Sequence, residues 1–287
     1  MMNYTGKGNN DSATHETIVI INCVLNAPLM LISIIGNALV LAAILRTPSI
    51  RSTSMIMLCS LAVSDLLVGF VAQPLYIADE LKTLISQDVL LYRLSAMIGF
   101  FLCGVSLGTM AVISLDRFMA LHYHMRYATL VTKSRVRCTL GLIWLFVFLA
   151  LGFYLWNKFV YHLMAGIFSA ICLIICTFSY VKIYRVVRQH QFQICAQQQA
   201  VESTTNIMKM TRLKKSAMNT FVFYIFLVIC YFPNAILLAM FATIYKDWKT
   251  EWTFATTVVF MNSSINPILY CWRLRELRAA VVKIGRH

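Results

Sequence analysis

The sequence predicts an all-α integral membrane protein, a bundle of seven transmembrane helices followed by a short amphipathic eighth helix. Its residues are 60% hydrophobic and 13% charged, with a mean hydropathy of +0.73, whereas soluble domains are nearer to a quarter charged. Seven apolar runs each have about the 20 residues that cross a bilayer. Helices are predicted because backbone groups in lipid must be hydrogen-bonded within their own segment, and these runs are too long for tilted strands.

The apolar runs follow one another at short intervals along almost the whole chain. They are Ile18–Leu45, Met55–Ile77, Leu94–Leu121, Cys138–Trp156, Phe159–Val181, Ala217–Tyr245 and Phe254–Trp272. We therefore divide the chain into an outer tail of residues 1–17, a membrane domain of residues 18–272, and an inner amphipathic helix and tail of residues 273–287.

Basic residues set the predicted orientation. With the N-terminus outside, 19 of the 25 lysines and arginines lie on the cytoplasmic side, as the positive-inside rule requires. This basic face suits anionic membrane lipids and an acidic protein partner. Nucleic-acid binding is not predicted, because the charges flank the spans and form no single basic domain. Asn3 and Asn10 begin Asn-X-Ser/Thr triplets in the outer tail and are predicted glycosylation sites.

The segment after the seventh run carries the predicted eighth helix. Its apolar residues Leu274, Leu277, Val281 and Ile284 share one face, and basic residues surround them. This pattern is typical of a helix that lies on the inner leaflet.

Asp65 is the one ionisable residue in the middle of a long apolar run. A carboxylate in hydrocarbon is costly unless it has polar partners or water, so it marks a functional site by default. One interpretation is a transporter or channel that uses Asp65 as an ion relay. A conduction path would need further charges deep within the membrane, and away from their ends the apolar runs contain none besides Asp65.

Six short motifs occupy fixed places in the predicted helices. In chain order they are Gly36-Asn37, Leu61-Ala62-Val63-Ser64-Asp65, Asp116-Arg117-Phe118, Trp144, Cys230-Tyr231-Phe232-Pro233 and Asn266-Pro267-Ile268-Leu269-Tyr270. Each motif is weak alone, but six in order at the right depth resemble the rhodopsin-like (class A) G-protein-coupled receptors. The resemblance extends from about Ile21 to Lys283. It implies a multi-pass plasma-membrane receptor that passes an extracellular ligand signal to a heterotrimeric G protein.

The resemblance implies that Asp65 has polar partners on three other helices. These partners are Asn37, Ser106, Asn262 and Asn266. Asn262 and Asn266 share a helical face because they are four residues apart. Oxygen ligands around a carboxylate suit a sodium ion, which would favour the packing that holds them together. The alternative is a polar cluster that only joins helices. No other cofactor is predicted.

The family pattern also implies a switch at the cytoplasmic end. Asp116 neutralises Arg117 at rest, and Arg117 is then released toward the G protein. Tyr180 and Tyr270 are implied to meet and to hold Arg117 in the active packing.

Two prolines are expected to provide the moving element. Pro233 and Pro267 each remove a backbone hydrogen bond within a span and should kink it. A kink gives the sixth helix two packings that a ligand can bias. Tyr231 stands above Pro233, where relatives usually have tryptophan.

Other departures from the family pattern bear on the resting state and the loops. Tyr92 stands where most relatives have a disulfide cysteine, and Cys172 stands where proline is common. These two departures resemble the melanocortin, cannabinoid, lysophospholipid and, in part, adenosine receptor branch. The inner end of the sixth helix, Arg212-Leu213-Lys214-Lys215, has no acid to pair with Arg117, which predicts signalling without ligand.

The family positions imply a ligand pocket that is mostly apolar. Its residues are Gly99, Phe100, Cys103, Met164, Phe168, Tyr231, Asn234, Leu238, Trp252, Thr256 and Phe260. Gly99 replaces the aspartate of amine receptors, so a charged amine is not expected. Small-molecule sites are usually apolar with few polar groups, which favours a small, lipid-like or neutral ligand. Asp79, Glu80 and Asp88 near the mouth either receive a cationic peptide or form a solvated rim, and we favour the rim.

An enzymatic function is not predicted. Gly104-Val105-Ser106-Leu107-Gly108 matches the nucleophile elbow of hydrolases, but that motif requires a strained turn between a strand and a helix. Here it lies in the middle of an apolar run. The sequence therefore predicts a receptor.

Overall fold

We describe a computed structural model of the chain. The backbone is described for residues 5–47, 52–86, 88–123, 126–198, 204–241, 249–273 and 275–284. Side chains are described for residues 16–47, 52–86, 88–123, 126–189, 222–240, 250–272 and 277–283. Asn3, the side chain of Asn10 and the side chains of Arg212-Leu213-Lys214-Lys215 lie outside these ranges, so the predicted glycosylation sites are not described.

The described backbone is helical throughout its length, apart from turns and short connections. Its elements are α1 (Thr5–Arg46), α2 (Thr53–Leu67), a π-helical turn (Val68–Ala72), α3 (Gln73–Thr83), α4 (Val89–His122), α5 (Tyr127–Leu130), α6 (Lys133–Trp156), α7 (Lys158–Gln198), α8 (Thr204–Phe241), α9 (Lys249–Arg273) and α10 (Arg275–Ile284). Together α2, the π turn and α3 form the second membrane helix. The third to seventh are α4, α6, α7, α8 and α9, and α10 is the short final helix. The all-α prediction is confirmed.

Six of the helices in the described part of the chain are long and apolar enough to span a membrane. The seventh predicted span lies in α9, which is less apolar because it contains Asn262, Ser263, Ser264 and Asn266. All four of these polar side chains are buried inside the bundle. Since they face other helices and not lipid, α9 completes the predicted seven-helix bundle.

The bundle is arranged around α4, which packs against α2, α3, α6 and α7. α1 and α8 each pack against α9 and close the other side. The central residues Val105 and Leu107 of α4 are buried, whereas Leu142, Leu145 and Leu149 of α6 are exposed. Exposed leucines along one face are expected for a helix that contacts lipid.

The first membrane helix begins earlier than the hydropathy pattern predicts. The apolar run starts at Ile18, but the helical backbone of α1 begins at Thr5. Much of the predicted outer tail is therefore a continuation of α1.

Two glycines allow close approach of helices near the middle of the bundle. A Cβ on Gly36 would lie 2.9 Å from Pro267, and a Cβ on Gly69 would lie 3.0 Å from Ser33 and Ile34. Both distances are too short for a larger residue to be accommodated without movement. The absence of a side chain at these positions thus brings α1 against α9 and against the π turn that follows Asp65.

Candidate ligand cavity and polar core

The carboxylate of Asp65 is fully buried and accepts three side-chain hydrogen bonds. Ser106 Oγ and Ser263 Oγ each donate to Oδ1 at 2.8 Å. Asn266 Nδ2 donates to Oδ2 at 2.7 Å. Because the donors come from α4 and α9, the carboxylate ties three membrane helices together at one depth.

Two of the four predicted partners of Asp65 do not contact its carboxylate. Asn37 Nδ2 donates instead to the backbone oxygens of Ser33, at 2.9 Å, and Ser263, at 3.0 Å. The Nδ2 of Asn262 is buried without a partner in the described part of the chain. Ser263 takes the place expected for Asn262. Helical spacing could not decide between them, because positions 262 and 263 both lie one turn before Asn266.

The core around Asp65 offers oxygen atoms that suit a small hard cation. The hydroxyls of Ser106 and Ser263 can rotate to present lone pairs. Asn37 Oδ1 is buried and has no hydrogen-bond partner among the described residues. A buried oxygen with unused acceptor capacity in the same polar core suits a bound sodium ion.

A second polar network joins α1, α3 and α9 closer to the outer face. Asn22 Nδ2 donates to Tyr76 Oη at 2.9 Å, and Tyr76 Oη donates to the backbone oxygen of Thr253 at 3.0 Å. Asn26 Nδ2 donates to Thr257 Oγ1 at 2.9 Å, and Thr257 Oγ1 donates to Asn22 Oδ1. The sequence analysis missed this network. Asn22 and Asn26, four residues apart in an apolar run, could have predicted it.

This outer network ends at Glu80. Thr253 Oγ1 donates to Glu80 Oε1 at 3.1 Å. Glu80 and its neighbour Asp79 each have 9% of their surface exposed. The prediction that these acids belong to a solvated rim is therefore wrong, since α3 continues past the apolar run and holds both acids inside the bundle.

The third acid of that predicted rim, Asp88, is outside the bundle. Lys82 Nζ lies 2.6 Å from Asp88 Oδ2. Asp88 Oδ1 also accepts hydrogen bonds from the backbone N–H groups of Leu90 and Leu91, so Asp88 caps the N-terminus of α4. The hydrogen bond from Lys82, followed by that from Leu91, holds the pKa of Asp88 below its usual value.

A cavity of about 400 Å³ opens among the outer halves of α3, α4, α6, α7, α8 and α9. All eleven residues that the family positions implied for a ligand pocket line this one cavity. The wall also includes polar residues that were not among the predicted pocket residues. Among these are Asp79, Glu80, Ser95, Lys158, His162, Ser169 and Thr253.

Aromatic rings cover the cavity near its outer end. The ring of Phe100 lies 6.1 Å from that of Trp252 and 5.8 Å from that of His162, and the latter two are 6.0 Å apart. Deeper in, Tyr76 and Phe260 meet edge to face at 5.4 Å. Offset and edge-on contacts of this kind are favourable between aromatic rings, so the walls form a packed enclosure.

Tyr231 lies deep in the cavity wall and is buried. Its hydroxyl donates to the backbone oxygen of Cys103 at 3.3 Å. Pro233 follows two residues later, inside α8. Tyr231 therefore connects the cavity and α4 to the part of α8 that contains the proline.

At the end of the bundle opposite the cavity, Asp116 is buried and bound by two hydroxyls. Tyr127 Oη donates to Asp116 Oδ1 at 2.6 Å, and Ser54 Oγ donates to Oδ2 at 3.3 Å. Arg117 Nε lies 3.7 Å from Asp116 Oδ2. Burial, and then the hydrogen bond to Asp116, raises the pKa of Tyr127 to about 12. Tyr127, which begins the short helix α5, was not predicted from the sequence.

The two tyrosines implied to stabilise the active packing have aromatic neighbours on α8. The ring of Tyr180 lies 5.2 Å from that of Tyr224. The ring of Tyr270 stacks on Phe223 at 5.4 Å, and its hydroxyl donates to Met110 Sδ at 3.3 Å. Pro267 lies inside α9, three residues before Tyr270.

Comparisons with known proteins agree with this geometry. A sequence model of the family described as "7 transmembrane receptor (rhodopsin family)" matches residues 36–156. The histamine H2 receptor of Canis lupus familiaris is 26% identical over 90% of this chain and 77% of its own length. The histamine H2 receptor of Rattus norvegicus is 28% identical over 88% and 75%. The adenosine receptor A2b of Gallus gallus is 26% identical over 91% and 87%.

Proposed function

Because the chain belongs to the rhodopsin-like (class A) G-protein-coupled receptors, we propose that a small extracellular ligand activates it from the cavity at its outer end. As a member of this family, the chain is a receptor that signals through G proteins and is not an enzyme. The comparisons provide no support for a transporter or channel. The observation that carries the proposal is that Tyr231, which lines the cavity, lies two residues before the proline within α8.

The size and lining of the cavity support a small ligand. A volume of about 400 Å³ is within the range of small-molecule pockets. Its apolar and aromatic walls suit a lipid-like or otherwise neutral ligand body. The relatives named above are receptors for histamine and adenosine by their names, which supports a ligand of this size.

Tyr231 provides a route from the ligand to the G protein. A ligand that displaces its ring breaks the hydrogen bond to Cys103 on α4. α8 then loses this link to α4 close to Pro233. At Pro233 the helix also lacks a backbone hydrogen bond. We propose that the inner end of α8 moves away as a result and that Arg117 leaves Asp116 for the G protein.

We also propose that sodium binds at Asp65 and stabilises the resting packing. Asp65, Ser106, Ser263 and the free oxygen of Asn37 would hold the ion. A bound cation would neutralise the buried carboxylate and favour the arrangement that keeps α2, α4 and α9 together.

The orientation belongs to the same proposal. We place the receptor in the plasma membrane with its N-terminus outside and Asn3 and Asn10 as glycosylation sites. The basic residues on the side of Arg117 support this orientation through the positive-inside rule, and α10 would lie on the inner leaflet.

Guanine-nucleotide exchange on a panel of purified G proteins tests the proposed function. Membranes with the wild type are compared with membranes that carry Arg117→Ala at equal receptor density. We expect exchange without added ligand in the wild type and a loss of at least about tenfold in Arg117→Ala, equivalent to one charge-assisted contact. Arg93→Ala is the matched control, because Arg93 is exposed at the opposite end of the same helix and its removal should change nothing. Equal exchange by wild type and Arg117→Ala would contradict the proposal.

A further inference from the structure

We propose that the ligand carries a protonated amine, which the buried carboxylate of Glu80 binds at the α3–α9 side of the cavity while the aromatic walls pack against an apolar ligand body. This inference rests on the proposed function of the cavity as the ligand site. It differs from the expectation drawn from Gly99, because the acid comes from α3 and not from α4.

No basic side chain in the described part of the chain is paired with Glu80. Its side chain lines the cavity and is 9% exposed. Among the described residues its carboxylate accepts a hydrogen bond from Thr253, and no basic side chain there forms an ion pair with it. Burying a charge is costly unless it is paired and hydrogen-bonded. A cation in the cavity would provide the missing pair.

Other polar groups in the wall have unused hydrogen-bonding capacity. Ser95 and Ser169 line the cavity and are 5% and 9% exposed. Neither hydroxyl has a hydrogen-bond partner in the described part of the chain, although most buried polar groups are paired. Their placement on α4 and α7, away from Glu80, provides polar contacts for the body of the ligand.

Lys158, the lysine in the cavity wall, does not neutralise Glu80. Lys158 is an exposed residue at the start of α7, and its Nζ lies 5.5 Å from the ring centre of Tyr92 and 5.6 Å from that of Tyr154. These ring faces and solvent stabilise its charge. Asp79 lines the same wall as Glu80. The part of the cavity beside Glu80 therefore favours a cation over an anion.

The aromatic walls narrow the class of amine. Phe100, Trp252 and Phe260 line the cavity on α4 and α9, and a Cβ on Gly99 would lie 3.8 Å from the Phe260 ring. The small residue at position 99 leaves room for a flat apolar group beside that ring. Aromatic faces also attract a nearby cation. Small arylalkylamines combine both features.

Matched pairs of probes test this inference by thermal unfolding of the purified full-length receptor. Phenethylamine and tryptamine are compared with N-acetylphenethylamine and N-acetyltryptamine, which keep the ring but lack the charge. We expect the amines to raise the unfolding temperature of the wild type and the acetylated forms to have no comparable effect. If neither amine stabilises the wild type, or if the acetylated forms do so equally, the inference is wrong. This comparison requires no variant to fold.

Variants then identify the carboxylate. Glu80→Gln keeps an oxygen for Thr253 but removes the charge, and we expect it to weaken amine binding at least about tenfold. Asp88→Asn is the matched control, because Asp88 lies outside the cavity, and its amine affinity should equal that of the wild type. Unchanged affinity in Glu80→Gln would overturn the inference.

The two proposals can fail separately. Thermal unfolding reports binding without a G protein, whereas exchange dependent on Arg117 reports coupling. Coupling without a preference for amines would refute the ligand class alone. A preference for amines without coupling would instead refute the proposed function.

Discussion

Asp65 and Glu80 are buried carboxylates on the same membrane helix, about 22 Å apart along its axis, but their surroundings differ. Asp65 has three side-chain donors from two neighbouring helices. Glu80 accepts a hydrogen bond from Thr253, interacts with the Tyr76 hydroxyl and faces the cavity. The bundle thus supplies most of the partners for the central acid and leaves the outer acid with capacity for a ligand.

The difference shows that burial alone does not identify a ligand-binding acid. Asp65 is the more deeply buried residue and attracts attention in the sequence, because it interrupts an apolar run. Its hydrogen bonds are nevertheless made within the protein, which suits a structural or ion-binding role. Glu80 lies just past the end of its run, where an acid is unremarkable. It has no counter-charge among the described residues, and a ligand could provide one.

Truncation of the two carboxylates should give the largest contrast. Asp65→Ala leaves Ser106, Ser263 and Asn266 without their acceptor, and we expect a loss of about 2 kcal/mol in stability, at roughly 0.6 kcal/mol for each hydrogen bond in a membrane protein. Glu80→Ala loses the interactions with Thr253 and Tyr76 and should cost less, about 1 kcal/mol. Thermal unfolding in detergent without ligand measures both. A larger loss of stability in Glu80→Ala than in Asp65→Ala would contradict the view that Asp65 has more partners within the protein.

Asp116 is an intermediate case, with two hydroxyl donors and a neighbouring arginine. Tyr127→Phe removes the 2.6 Å hydrogen bond and frees Asp116 to pair more closely with Arg117. We expect basal nucleotide exchange to fall about fivefold, corresponding to about 1 kcal/mol for one hydrogen bond. Tyr123→Phe is the control, since Tyr123 is exposed. An increase in exchange on Tyr127→Phe would show that Tyr127 restrains Arg117 instead.

Asp88 should give the smallest effect because it is exposed to solvent. Its pKa is lowered in the folded state, chiefly by Lys82, so its charge stabilises the fold above its usual pKa and loses this effect as the pH falls through the lowered value. We expect wild type and Asp88→Asn to differ slightly in unfolding temperature at pH 7 and to converge as the pH falls below the lowered pKa of Asp88. A difference that grows as the pH falls would contradict the assignment of this ion pair.

Much of the fold could be predicted from hydropathy. The apolar runs lie in the expected helices because a bilayer requires about 20 apolar residues per crossing. The same signal failed at helix ends. It stopped at Ile77, where the acids begin, although α3 continues to Thr83. The π turn Val68–Ala72 also has no clear sequence signal, and it changes the direction of every side chain that follows relative to a regular helix.

The candidate cavity was predicted in part. The eleven residues predicted from the family positions line one cavity, because the order of the helices is the same as in the family. Ser95 and Ser169 were missed, and Glu80 was assigned to a solvated rim, because hydropathy and family positions do not show how far α3 carries its polar residues into the bundle. The choice of Ser263 over Asn262 at Asp65 depends on the packing of α9, which residue spacing does not determine.

A crossed titration of sodium and phenethylamine tests most directly the claim that the two carboxylates have separate roles. The unfolding temperature of the wild type, Asp65→Asn and Glu80→Gln is measured against each, with potassium holding the ionic strength constant. The account predicts that sodium stabilises the wild type by about 1.4 kcal/mol at ten times its dissociation constant. It also predicts that Asp65→Asn removes only the sodium effect and that Glu80→Gln removes only the phenethylamine effect. Loss of both effects in the same variant, or the opposite assignment, would contradict it.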